Sequence, residues 1–352
     1  MRTKPAIILI VSVALVAGGI LAFLPRTHAN SDLSANVVPS QSTGLLIDSS
    51  FDGGNATVES VKLSADAPQI VSDFGNNKFE NYTKWLYLSP DRKLVAVTLN
   101  PIGPDDVAPS TYISDINGAQ LTPAYSGDFV SWSPDSSKVL LYVSPMEAPW
   151  SRRIYALDTQ SNYYDTGLPN GTISADISPI DGSIVYSLTG GGTDASTIYV
   201  RDPQGNDKVL VKSDNTVIAW FRWSPKGDKI AFMRANLFAE GGEIWTMNPD
   251  GTGSEKASDI DWNYPPVWSP DGTKIVFSNS GNIREYDTVG KSLRNVTNLN
   301  ESGAGHPTYS ADGETIVFSS GVAGEQQIWA AKDGSVVQLT TGNQAKDYPI
   351  LP

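Results

Sequence analysis

The segment that decides the fold runs from Trp268 to Phe277 and has the sequence Trp-Ser-Pro-Asp-Gly-Thr-Lys-Ile-Val-Phe. Proline presets the backbone at the second position of a tight turn, aspartate suits the third, and glycine supplies the positive φ that leaves the turn. The residues that follow are β-branched or aromatic, which favours a strand. The segment therefore predicts a β-hairpin.

The same pattern occurs six times along the chain. Consecutive serines of the pattern are separated by 44, 45, 46, 45 and 41 residues, which is the length of one four-stranded β-propeller blade. Repeat three has an inserted Ile180, and repeats one and two have Arg92 and Ser136 in place of the turn glycine. Repeat four has Lys226 in place of the turn aspartate. We expect these departures to blur the turns without changing the number of strands. The repeat serines are Ser89, Ser133, Ser178, Ser224, Ser269 and Ser310.

Both ends of the repeat region contain further strand-like sequence. Three stretches precede the first repeat, from Gly44 to Asp48, Thr57 to Leu63 and Gln69 to Ser72. The last residues, from Asp347 to Leu351, resemble the start of repeat five from Asn263 to Val267. A further blade could be shared between the two ends of the chain, with one inner strand from the C-terminus and three strands from the N-terminus. Such a blade would close the ring and remove exposed sheet edges. The sequence predicts an all-β propeller of seven four-stranded blades, with six blades as the alternative.

The Trp-Ser-Pro-Asp-Gly-x-Lys-Ile-x-Phe signature resembles the WD-like repeat of TolB-type β-propellers, which is also used in the propeller of prolyl-oligopeptidase-type peptidases. The resemblance covers roughly residues 44–352, and repeats four to six match it best. It implies a protein partner in the periplasm or cell envelope. Because one fold hosts many functions, the function itself has to be argued from a site.

The N-terminus has the pattern of an export signal. Arg2 and Lys4 precede an uncharged, largely apolar run over residues 5–25, long enough for a membrane-spanning helix. Small residues at Thr27 and Ala29 would also suit cleavage before Asn30. We therefore expect the body outside the cytoplasm, either anchored by a single hydrophobic N-terminal helix or secreted or periplasmic after cleavage. The predicted domains are a signal or anchor segment (1–29), a polar linker (30–43) and the propeller (44–352).

Composition excludes several classes of function. Lys and Arg total 25 against 38 Asp and Glu, for a net charge of −13, which argues against a nucleic-acid-binding surface. The chain has no cysteine and only two histidines, His28 and His306, so thiol nucleophiles, disulfides and zinc-thiolate sites are absent. No G-x-S-x-G nucleophile motif occurs. The sequence therefore predicts no catalytic residues, no bound metal and no cofactor.

The loops that join the second and third strands share one face with the loops between blades, and such loops commonly carry function. We expect a monomeric, non-catalytic propeller that binds a protein or peptide here. Alternatives are a carbohydrate- or peptide-acting enzyme at the channel mouth and a sensor for a small ligand or cation. Trp132, Trp223, Trp268 and Tyr309 are expected in the core between blades, and the turn aspartates are expected to form turns. The candidate partner-binding residues are Tyr82, Lys84, Trp150, Arg152, Arg153, Arg234, Phe238, Trp262, Tyr264, His306 and Tyr348.

Overall fold

A computed structural model describes most of the chain after residue 44, and every regular element in it is a strand. Among residues 45–84 it describes the backbone alone. The described residues are 45–52, 55–62, 69–73, 79–80, 82–101, 108–143, 153–189, 196–212, 216–236, 241–260, 265–299, 303–321, 326–341 and 345–351.

The strands follow one another at short intervals along the chain, as the repeat predicts. In chain order they are β1 (Leu45–Asp52), β2 (Asn55–Lys62), β3 (Gln69–Asp73), β4 (Phe79–Glu80), β5 (Tyr82–Leu88), β6 (Leu94–Pro101), β7 (Ser110–Asp115), β8 (Tyr125–Ser126), β9 (Asp128–Trp132), β10 (Lys138–Val143), β11 (Arg153–Asp158), β12 (Tyr163–Asp165), β13 (Thr172–Ile177), β14 (Ile184–Thr189), β15 (Ser196–Arg201), β16 (Asp207–Lys212), β17 (Thr216–Trp223), β18 (Ile230–Asn236), β19 (Gly242–Met247), β20 (Glu255–Ile260), β21 (Val267–Trp268), β22 (Lys274–Asn279), β23 (Asn282–Asp287), β24 (Ser292–Asn295), β25 (Ala304–Tyr309), β26 (Ile316–Ser320), β27 (Gln327–Lys332), β28 (Ser335–Gln338) and β29 (Ala345–Ile350).

Hydrogen bonding divides these strands into seven antiparallel sheets. Six sheets contain four consecutive strands each, and we number them blades I to VI, from β5–β8 to β25–β28. The seventh, blade VII, has the strand order β29-β1-β2-β3, with β4 paired to the far end of β2. The predicted blade shared by the two ends of the chain is therefore confirmed.

The repeated turn is held by its own polar side chains. In blade V the Ser269 hydroxyl donates to Asp271 Oδ1 at 2.6 Å and accepts the Lys274 amide hydrogen at 3.0 Å. The Gly272 amide donates to the Ser269 carbonyl at 2.8 Å. Blades II and VI repeat the hydroxyl-to-aspartate bond at Ser133 and Ser310. The turn aspartates thus form turns, as the sequence predicted.

Seven apolar clusters join the blades pairwise around a closed ring. Trp132 of blade II, for example, packs with Ala96 and Ile113 of blade I. On either side of blade VII, Ile350 packs with residues of blade I and Leu351 with residues of blade VI. The pre-turn residues Trp132, Trp223, Trp268 and Tyr309 are all buried in these clusters, so the predicted interblade role is confirmed.

The first strand of each blade is the one nearest the axis. Trp132 Nε1 donates to the carbonyl of Tyr87 at 2.9 Å, and Trp268 Nε1 donates to the carbonyl of Arg222 at 2.8 Å, so first strands of neighbouring blades touch. We call the end of the ring that carries the Ser-Pro-Asp-Gly turns the turn face and the opposite end the loop face. Each inner strand runs from the loop face to the turn face.

The expectation that repeats one and two would have blurred turns is wrong. Arg92 and Ser136 adopt the left-handed φ values of 61° and 59° that glycine usually provides, and their amides make the usual turn bonds to Ser89 and Ser133 at 2.9 Å. Their side chains reach other blades. Ser136 Oγ accepts the Asp91 amide hydrogen at 3.0 Å. An Arg92 terminal nitrogen donates to the carbonyls of Tyr309 and Leu351 at 2.8 and 2.6 Å.

We expect Arg92→Gly to lower the free energy of unfolding by about 2 kcal/mol, because the bonds lost from a charged donor outweigh the backbone strain relieved. The matched control is Ser136→Gly, which relieves the same strain but removes one neutral bond, so its effect should stay within about 1 kcal/mol. Urea unfolding of both variants measures the difference. An Arg92→Gly protein as stable as the control would show that this side chain does not join the blades.

The predicted leader (1–29) and the predicted linker (30–43) lie outside the described residues. Among the residues that the structure does describe, no helix has the length and apolar character needed to cross a bilayer.

Candidate functional site

One position of the repeat places aromatic side chains in the loop-face half of the inner strands. This position lies four residues before the repeat serine, and in several blades it coincides with an irregularity in the pairing of the first two strands. Blade VII has no repeat serine. The pairing of β29 with β1 nevertheless shifts its register at Tyr348, opposite the segment between Ile47 and Ser49. The residues at this position are Trp85, Phe129, Ser174, Trp220, Pro265, His306 and Tyr348.

Three of these rings form a continuous stack across blades VI, VII and I. The His306 and Tyr348 ring centroids are 3.7 Å apart, and those of Trp85 and Tyr348 are 5.5 Å apart. Asp347 adjoins the stack, with its Oδ1 2.6 Å from His306 Nδ1. We call Trp85, His306, Asp347 and Tyr348 the mouth cluster, and all four are partly exposed.

The backbone at this position is strained. Trp220, His306 and Tyr348 have φ values of 55°, 48° and 51°, in the left-handed region that costs a side-chain-bearing residue about 1–2 kcal/mol. Bulges of this kind re-aim side chains and are frequent beside binding sites, and stored strain is found at functional positions. The strained backbone therefore distinguishes two of the three rings of the mouth cluster, His306 and Tyr348, from ordinary strand residues.

The Asp347 carboxylate sets the charge of the mouth cluster. Burial raises the pKa of Asp347, but the charge of His306 and its hydrogen bond lower it, and the net pKa lies below its ordinary value. The carboxylate therefore stays ionised at neutral pH. An ionised carboxylate that holds an imidazole fixes the orientation of the ring, and it also offers a counter-charge to a cationic group of a ligand.

Among the predicted partner-binding residues whose side chains the structure describes, it brings together two, His306 and Tyr348. Arg153 instead pairs with Asp165 of its own blade at 2.5 Å, and the Arg234 guanidinium lies 4.7 Å from the centre of the Trp245 ring within blade IV.

Trp85 was missed, although alignment of the repeats places it in the same column as His306. Tyr82 and Lys84 lie at the start of β5, in the part of the strand where only the backbone is described. Outside the described residues lie Trp150, Arg152, Phe238, Trp262 and Tyr264.

His306, which lies in the inner strand β25, is packed against Tyr348 and hydrogen-bonded to Asp347. In the described part of the chain, no group of three or more His, Cys, Asp or Glu side chains is arranged to hold a metal ion. The mouth cluster is thus chemically suited to stacking, hydrogen bonding and charge pairing.

Comparisons with known proteins support a TolB-type fold. TolB from Acinetobacter baumannii is 18% identical, with a TM-score of 0.53 over 73% of this chain and 64% of the TolB chain. The chain therefore spans less than two thirds of TolB. An oligogalacturonate lyase from Vibrio parahaemolyticus is 14% identical, with a TM-score of 0.53 over 84% of this chain and 92% of the lyase.

The β-propeller domain of the Trilobed protease from Pyrococcus furiosus, described as having an open velcro topology, is 14% identical, with a TM-score of 0.55 over 84% of this chain and 93% of that domain. At these identities the likeness concerns the fold alone. No curated protein matches the chain by sequence. The family described as the TolB beta propeller domain matches residues 178–351. That segment is therefore similar to the TolB beta propeller domain family, and the ring that contains it has a β-propeller fold similar to that of TolB.

Proposed function

We propose that this protein is a non-catalytic β-propeller that works outside the cytoplasm and binds a protein or peptide partner at its loop face. The observation that carries the proposal is the mouth cluster, in which three stacked rings come from consecutive blades and one of them, His306, contacts the Asp347 carboxylate. Aromatic side chains dominate binding energy at protein interfaces because they bury large areas at a small cost in conformational entropy.

The placement outside the cytoplasm rests on the sequence. The basic residues and apolar run within residues 1–29 have the pattern of an export signal or anchor, and the TolB resemblance favours the same side of the membrane. The net charge of −13 favours a neutral or basic partner. A partner segment with an apolar ring next to a cationic or N–H donor group would satisfy both the stack and Asp347.

We expect Trp85→Ala to reduce partner capture at least tenfold, as truncation of a central interface aromatic costs about 2 kcal/mol or more. Crosslinking of the full-length protein in its own cells, followed by identification and quantitation of the bound partner, measures the effect. Trp85→Phe retains a ring and should lose less. The matched control is Tyr164→Ala, which removes a tyrosine that is 40% exposed on the outer strand β12.

Circular dichroism of each variant separates loss of fold from loss of binding. Folded Trp85→Ala protein that captures as much partner as the Tyr164→Ala control would contradict the placement of the site at the mouth cluster.

A carbohydrate- or peptide-acting enzyme is the second candidate, and one observation favours it. The His306–Asp347 pair has the short contact by which a carboxylate orients a catalytic imidazole. The enzyme hypothesis requires turnover of an oligosaccharide or peptide that disappears in His306→Gln. Turnover that survives this substitution would reject His306 as its base.

A further inference from the structure

The strand β29 takes part both in the mouth cluster and in the closure of the ring. It supplies Asp347 and Tyr348, two of the four residues of the mouth cluster. Ile350 in the same strand packs against blade I, and Leu351 just after it packs against blade VI. The strand therefore connects the binding residues at the loop face to the contacts that complete blade VII.

Blade VII is completed without a covalent link between its inner strand and its other strands. β29 follows blade VI along the chain but pairs with β1, which lies at the opposite end of the described residues. In blades I to VI the four strands of each blade follow one another in the chain. The chain has no cysteine, so no disulfide secures β29. Because local opening commonly costs less free energy than global unfolding, this strand is the expected place for the ring to open.

The part of β29 that belongs to the mouth cluster is strained. Tyr348 has a φ of 51°, which is unfavourable for a residue with a side chain. Its amide donates to Asp347 Oδ1 at 2.8 Å, where the pairing with β1 shifts register. Undocking of the strand would relieve this strain, whereas the ring contacts with Trp85 and His306 oppose undocking. The docked state of β29 therefore depends on the same rings that form the binding site.

The binding site is complete only while β29 is docked. The Tyr348 ring contacts those of His306 in blade VI and Trp85 in blade I, and Asp347 Oδ1 lies 2.6 Å from His306 Nδ1. Undocking would remove both the central ring and the carboxylate. A ligand that binds only the docked form stabilises it by mass action. At a concentration about 100 times its dissociation constant, such a ligand lowers the undocked fraction about 100-fold.

We propose that β29 is a latch that couples partner binding at the mouth cluster to closure of the ring. This inference rests on the proposed function and concerns the regulation of the same site. The bound partner holds the latch closed through Asp347 and Tyr348, and a change that loosens the latch weakens the site, because such coupling is reciprocal. Arg92 at the turn face, which donates to the Leu351 carbonyl at 2.6 Å, thereby affects binding at the loop face.

Hydrogen exchange of the full-length protein, read by mass spectrometry of peptides that cover residues 345–351, measures undocking of the latch. We expect Trp85→Ala and Arg92→Gly each to speed exchange in these peptides at least about tenfold, although the two residues lie towards opposite faces of the ring. The matched control is Ser136→Gly, which removes a side-chain contact between blades I and II and should leave this exchange unchanged. Exchange in β22 of blade V reports global unfolding.

An engineered disulfide gives a second test of the latch. Phe51 and Ala345 lie directly opposite each other in β1 and β29, and two cysteines there would be the only thiols in the chain. We expect oxidation of the Phe51→Cys, Ala345→Cys pair to return the exchange of residues 345–351 in Arg92→Gly protein to its natural rate. Reduction of the disulfide should restore the fast exchange.

The loaded state is the crosslinked complex isolated from the cells. Bound partner should slow exchange of residues 345–351 at least about tenfold. Arg92→Gly should lower the yield of complex, and the oxidised disulfide should restore it. Exchange in Trp85→Ala or Arg92→Gly protein that matches the Ser136→Gly control overturns the latch. A complex that forms without slowing this exchange overturns the coupling alone. Absence of any captured partner defeats the proposed function, and the coupling with it.

Discussion

Removal of residues 345–352 is expected to leave a chain that no longer melts as one cooperative unit. These residues contain β29, the innermost strand of blade VII, which pairs with β1. Ile350, only 4% exposed, fills the cluster between blades VII and I. Loss of one such side chain costs about 2–5 kcal/mol, and the strand's hydrogen bonds are lost with it. The sum approaches the whole stability of a typical domain, about 5–15 kcal/mol.

Differential scanning calorimetry of the truncated and full-length proteins measures this loss. Two controls separate loss of the strand from loss of single contacts. Ile350→Val should cost only about 1 kcal/mol, and Asp347→Asn should replace the carboxylate that contacts His306 while the strand stays in place. A synthetic peptide of residues 345–352 should restore part of the transition when added to the truncated protein. A truncated chain that melts within a few degrees of the full-length chain would contradict a closing role for β29.

The effect should be large in this chain because closure involves more than one strand pair. The amide of Lys346 donates to the carbonyl of Gln326 in blade VI at 2.7 Å, and Arg92 of blade I holds the Leu351 carbonyl. Truncation would leave the half-buried Arg92 side chain with one carbonyl partner instead of two. The Trilobed protease domain shows that a similar fold can have an open velcro topology. A similar fold therefore need not be closed in this way. Closure in this protein depends on the contacts that residues 345–351 make with blades VI and I, and the truncation tests those contacts.

The fold was predictable from the sequence because the repeat is built from local chemistry. The serine, aspartate and glycine of a turn such as Ser269–Gly272 bond to one another, so a few adjacent residues specify each hairpin. The shared blade was predictable because Tyr348-Pro349 resembles Tyr264-Pro265 of repeat five. The turns at Arg92 and Ser136 were mispredicted because the compensating bonds reach other blades, which local sequence does not reveal.

The candidate site was less predictable because it depends on contacts between distant parts of the chain. His306 and Tyr348 were placed on one face, but their stacking with Trp85 requires the two ends of the chain to meet. Arg153 was expected to contact a partner, and its bond to Asp165 was not foreseen because the two residues lie on different strands.

A second large effect concerns the pH dependence of stability and depends on Asp128 at the start of β9. Its Oδ1 is buried without a hydrogen-bond partner among the described residues, and burial raises the pKa of this carboxyl from 3.8 to about 6. Between pH 4 and 6 the folded protein therefore holds a proton that the unfolded chain has released. Folding gains stability from this group as pH falls through that range and loses it as pH rises.

The turn aspartates act in the opposite direction. Donation from Ser133 lowers the pKa of Asp135, and donation from Ser269 lowers that of Asp271. These carboxylates stabilise the folded state above pH 4, and the stabilisation is lost as they are protonated at lower pH. The two opposing trends should place the maximum of stability near pH 5 rather than at neutral pH.

Asp128→Asn should therefore raise the free energy of unfolding by about 2 kcal/mol at pH 7.5, where the natural carboxylate is charged and poorly solvated, and by much less at pH 4. Urea unfolding at the two pH values measures the change. Asp135→Asn is the matched control, because it should destabilise the protein at pH 7.5 and have a smaller effect at pH 4. An Asp128→Asn protein whose gain is the same at both pH values would show that ionisation of this carboxyl is not what weakens the ring at neutral pH.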